Sequence, residues 1–97
     1  MKMSPHSPDI LLDKACQCRA DADAIDEIIA RTKTLQSELS SGFGGAEEQL
    51  EVARLEMTVR RLMEAADHLR YVAQNMHDIS QYLKELEMKE DIAKAFK

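Results

Sequence analysis

Tryptophan is absent, aromatic residues make up only 4% of the chain, and there are three glycines and two prolines in 97 residues. A β-sandwich needs turn residues about every 8 to 12 positions and bulky cores between its sheets, so this composition points to helix. Two cysteines, Cys16 and Cys18, are too few and too close in sequence to make a stabilising disulfide framework. No apolar run approaches the roughly 20 residues that span a bilayer. The stretch Met1 to Asp9 lacks the apolar core of a secretory signal, so a cytoplasmic start is expected. Basic residues are in deficit, 13 against 18 acidic, for a formal charge of −5. A fold built to neutralise phosphates would carry the opposite balance, so nucleic acid is not an expected partner.

What is present is hydrophobic side chain, 44%, and charge, 32%, in a length suited to one domain. After a polar lead-in over residues 1–7, Ser7-Pro8-Asp9 reads as a helix start. The serine caps, the proline suits the first helical position, and the acid meets the positive end of the dipole. Nothing interrupts a helix over 8–41. All three glycines then fall in the loop 42–45, with Gly42 placed where a left-handed residue would end the helix. Glu47 and Glu48 open a second helix, 46–97, with a break, fraying or fold-back allowed after about residue 84, where charges crowd. Two long helices joined by a short loop predict an all-α antiparallel hairpin.

Heptad spacing places the seam. Leu11, Cys18, Ile25, Thr32 and Leu39 lie seven apart in the first helix, with Ala15, Ala22 and Ile29 four residues after the first three and Ile28 and Leu35 alongside. In the second, Leu55, Leu62, Leu69, Met76 and Leu83 hold one heptad position, Ala65, Val72, Ile79 and Leu86 follow three residues later, and Val59, Ala66 and Ala73 widen the stripe. Folding back from the loop brings residue 10 near residue 77, so Ile79, Tyr82, Leu83, Leu86, Ile92 and Phe96 have no cover within the hairpin. Burying an aliphatic side chain is worth about 1.5 to 3 kcal/mol, so another chain is expected on this stripe. Ile28, Val59 and Val72 are expected to be only partly enclosed as well. Pairing of two hairpins into a four-helix bundle, as homodimer or heterodimer, would cover them.

Catalytic, cofactor and metal sites are not expected. His68 and His77 are nine apart on one helix, and Cys16 and Cys18 point to different faces, with Cys18 on the seam as a small hydrophobe and Cys16 near the surface. The acids are spread along both helices, and Arg60-Arg61 sits among Glu56 and Glu64 as surface ion pairs. Phe43 stands apart as an aromatic between glycines at the hairpin tip. It either folds down between the helices near Leu39 and Leu50 or docks into a groove of a partner.

Over residues 8–83, with Phe43-Gly44-Gly45 at the centre, the chain resembles the WXG family of small type VII secretion proteins, the early-secreted-antigen type. Phe43 and Gly45 take the places of that family's Trp and Gly. The resemblance implies a non-enzymatic hairpin, secreted without a cleaved signal peptide as co-substrate or acting as targeting chaperone. Its longer second helix suits the subset that pairs with the helical N-terminal domain of LXG-type toxins. The family's export signal, a Tyr followed four residues later by an acid, is not met, since Tyr82 is followed by Leu86 and Tyr71 by Asn75. A cytosolic adaptor or chaperone of another system, type III secretion for example, is the alternative. The partner-binding residues expected are Phe43 and Gly45 at the loop, Leu55, Leu62, Leu69, Met76 and Leu83 on the seam, and Ile79, Tyr82, Leu86 and Phe96 beyond it.

Overall fold

The computed structural model describes residues 7–42 and 45–96, and among them there are two helices and no strand. Helix α1 spans Pro8–Ser40 and helix α2 spans Ala46–Ala95. They pack antiparallel as a hairpin whose principal extents are 79 × 19 × 16 Å. Its radius of gyration is 21.9 Å, where a compact domain of this length has about 12.5 Å. The molecule is a rod, and a rod of two helices has little interior.

The start of α1 follows its sequence. The Ser7 hydroxyl accepts from the Ile10 backbone N–H at 3.3 Å, and Pro8 occupies the first turn. The end does not. Ser41 closes α1 in a right-handed conformation, its N–H donating to the Ser37 carbonyl at 3.0 Å, and Gly42 donates to Leu39 O at 3.3 Å without entering the left-handed region expected of it. A tight terminal turn satisfies those carbonyls, so positive φ is not required. Helix α2 begins at Gly45, which is extended and has no side chain to cap the exposed amides. Glu48 stands at the third helical position, its flexible carboxylate overlapping the place a Gly45 side chain would occupy, so it must swing aside for one. Gly45→Ser would complete a Ser-x-x-Glu capping box, and thermal unfolding followed by circular dichroism should show a gain of about 0.5 kcal/mol.

Two side-chain to backbone hydrogen bonds set the register. The Ser80 hydroxyl donates to the Pro8 carbonyl at 2.9 Å at one end, and Gln36 Nε2 donates to the Val52 carbonyl at 3.4 Å near the other. Moving seven residues at a time from the first bond to the second passes through Ala15 with Ala73, Ala22 with Ala66, and Ile29 with Val59. These six side chains and Ser80 are the buried residues among those described. The register is therefore unbroken along the hairpin, and the fold-back expected near residue 77 is right to within a residue or two.

The seam itself is a correction. The leucine heptad Leu55, Leu62, Leu69, Met76 and Leu83 was expected at its centre but is half-buried, and so are Cys18 and its companions Leu11, Ile25, Thr32 and Leu39. Val59, expected to be partly enclosed, is buried. With only two helices, the line pointing straight across is covered on both flanks, and small residues there let the backbones approach closely. Large side chains one step around the helix are covered on one side only.

Ser80 is fully buried and hydrogen-bonded, so its hydroxyl is a register device as well as a small filler. Ser80→Ala removes one buried bond and leaves the Pro8 carbonyl its helical partner. A loss of about 1 kcal/mol is expected, with hydrogen exchange accelerated chiefly in the first turns of α1.

Candidate partner-binding face

About 100° separates successive residues around a helix axis. On both helices the half-buried large line lies to the same side of the plane through the two axes, because an antiparallel partner reverses the sense of rotation. One broad face of the hairpin thus carries Ile25, Leu39, Leu62, Leu69 and Met76, with Ile28, Leu35, Val72 and Ile79 at its edges. The opposite face is polar and is held by an ion triad. Arg70 of α2 reaches across to Asp23 at 3.0 Å and also pairs with Asp26. Hydrogen bonds that the Arg70 guanidinium donates to Asp26 and then to Asp23 hold its pKa above the usual value, so it stays charged throughout the ordinary range.

Beyond Ser80 the first helix has run out, and α2 continues for 15 residues, 81–95, or about 22 Å. This overhang remains helical to Ala95, without the break or fold-back allowed after residue 84. Tyr82 is 60% and Phe96 87% exposed, with Leu86 and Ile92 exposed between them, while Leu83, expected bare, is half-buried. The buried heptad line that ends at Ser80 would continue through Glu87 and Lys94, and the leucine line that ends at Leu83 would continue through Glu90. All three are charged. The sequence therefore closes the hairpin seam where α1 stops, and the apolar character moves to the line Ile79, Leu86 and Ala93, about 100° around the helix.

Of the expected binding residues, Leu55, Leu62, Leu69, Met76 and Leu83 share the broad apolar face, and Ile79, Tyr82, Leu86 and Phe96 extend from it along the overhang. Phe43 lies outside the described residues. Gly45 is at the opposite end of the rod from the overhang, so the loop and the tail do not form one site. Near the loop, Leu39, Ser40, Glu48, Gln49 and Val52 line a shallow cavity of about 280 Å³. Leu50, expected there, is 53% exposed and not among its lining.

No family model, curated protein or solved structure matches this chain. What the face can do is therefore read from its own geometry. Among the described residues no group of three or more His, Cys, Asp or Glu side chains is placed to hold a metal ion. His68 is exposed, and His77 turns Nδ1 into a buried position without a hydrogen-bond partner, so the two rings share no site. Arg60 pairs with Glu56 at 4.0 Å on the surface. No helix among the described residues is long and apolar enough to cross a membrane. Tyr71, 66% exposed on the outer side of α2, is a residue that the heptad count passed over. It lies seven residues before Asp78 and so falls on neither leucine nor alanine line, although an exposed ring beside the Val72–Ile79 edge is apolar surface all the same.

Proposed function

We propose that this protein is a non-enzymatic helical binding protein of a type VII secretion system, working as secreted co-substrate or targeting chaperone by packing α2 and the apolar face against a helical partner. A second hairpin on that face would close a four-helix bundle, and the resemblance implies the helical N-terminal domain of an LXG-type toxin as such a partner. The observation that carries the reading is the helical overhang 81–95, with Tyr82, Leu86 and Ile92 exposed, continuous with a half-covered apolar face. The isolated chain exposes 7703 Å², whereas a compact monomer of 11.0 kDa exposes about 5,600 Å². The excess of about 2,100 Å² is larger than the roughly 800 Å² that a standard interface takes from each partner.

Export is the testable part. The protein should accumulate in culture supernatant only when the secretion ATPase is functional. The absence of an acid four residues after Tyr82 favours one other reading, a cytosolic adaptor, and strict retention in the cells would establish that reading in place of export.

A further inference from the structure

Resting on the reading that the apolar face and overhang are an interface, we infer that its first partner is a second copy of this chain, set antiparallel with a two-fold axis at Ile79. The line that emerges on the overhang is a heptad palindrome, Ala65, Val72, Ile79, Leu86, Ala93. Turned end for end about Ile79, it places alanine at the level of alanine and Leu86 at the level of the partner's Val72. Isologous pairing requires this self-complementarity, and an unrelated partner would not.

Length agrees independently. Rotation about Ile79 lays the overhang 81–95 along residues 63–77 of the other copy. That stretch lies within the part of α2 where α1 covers one side and leaves the apolar face open. Each overhang becomes the third helix beside its partner's α1 and α2, and the overlapping region runs 63–95, about 50 Å. The exposed area in excess of a compact monomer is ample for such an interface. The charged residues Glu87, Glu90 and Lys94, which block extension of the hairpin seam, stay off the shared line. Asp78 and Glu85 approach as like charges at its margin, so the association belongs at 0.15 M salt or higher, where the Debye length is about 8 Å or less.

Cysteine crosslinking of the full chain tests the geometry, with Cys16→Ser and Cys18→Ala as background and circular dichroism confirming that each variant folds. Ile79→Cys should form a disulfide-linked dimer on mild oxidation. Leu86→Cys and Val72→Cys should each crosslink poorly alone and well when mixed, because two copies of residue 86 lie about 21 Å apart along the shared axis. Efficient crosslinking of Leu86→Cys to itself would mean a parallel pair and overturn the arrangement while leaving the interface reading intact. A monomer at 50 μM by sedimentation velocity would overturn self-pairing and leave the face to a different helical protein, a question that the export experiment addresses separately.

Discussion

Ala66→Asp should abolish the cooperative thermal transition of the isolated hairpin and lower its helicity at 25 °C. Ala66 is fully buried at mid-seam, between the Ser80–Pro8 and Gln36–Val52 bonds, where two backbones meet over small side chains. The cation one turn along α2, Arg70, is already paired with Asp23 and Asp26 on the polar face, so a carboxylate at 66 gains little from it. Burying an unpaired charge costs several kcal/mol, comparable with the whole stability of a domain this small. Ala66→Leu separates packing from charge. Extra methylenes in a close-packed seam cost about 1 to 3 kcal/mol. On the leucine line the reverse should hold, since Leu69 is half-exposed and Leu69→Asp can turn its charge to water. If Leu69→Asp unfolds the chain while Ala66→Asp is tolerated, the leucine line is the seam.

The second large effect is on association. Ending the chain after Leu83 keeps Ser80, its bond to Pro8 and every buried side chain, so the hairpin should remain helical, with its melting little changed at low concentration. The truncation removes Leu86, Ile92 and Phe96, and sedimentation should report a monomer at concentrations where the full chain is larger. A truncated chain that still assembles would place the interface on the broad face over α1 and away from the tail. A full chain that is monomeric throughout would mean that the exposed area is tolerated.

The path from sequence to fold was short at the ends of the hairpin and longer in its middle. Ser7-Pro8-Asp9 and the clustered glycines mark boundaries because capping and turn chemistry act over three or four residues. The antiparallel register follows from loop position alone. The choice of seam does not, because leucine and alanine heptads three or four residues apart are both periodic, and periodicity says which residues share a line without saying which line faces the partner. In a thick bundle the large line would be central. In a two-helix rod closeness of approach decides, and alanine wins. Gly42 shows a similar limit, since glycine permits a left-handed conformation without demanding one, and a tight last turn sufficed. For the candidate face, Ile79, Tyr82, Leu86 and Phe96 were legible as surplus to the hairpin. Tyr71 was not, because it belongs to no heptad line, and only its exposure in the folded chain reveals it.

A seam of alanines also fixes the girth of the molecule. With only Ile29 and Val59 larger than alanine or serine among the buried side chains, the helices lie close, and the folded chain extends 79 × 19 × 16 Å along its principal axes. Any conduit a little wider than two helix diameters, about 20 to 24 Å with side chains, would admit it lengthwise without melting it. A conduit of that bore would strip off a companion helix lying alongside, so threading and assembly would become mutually exclusive states of the same rod.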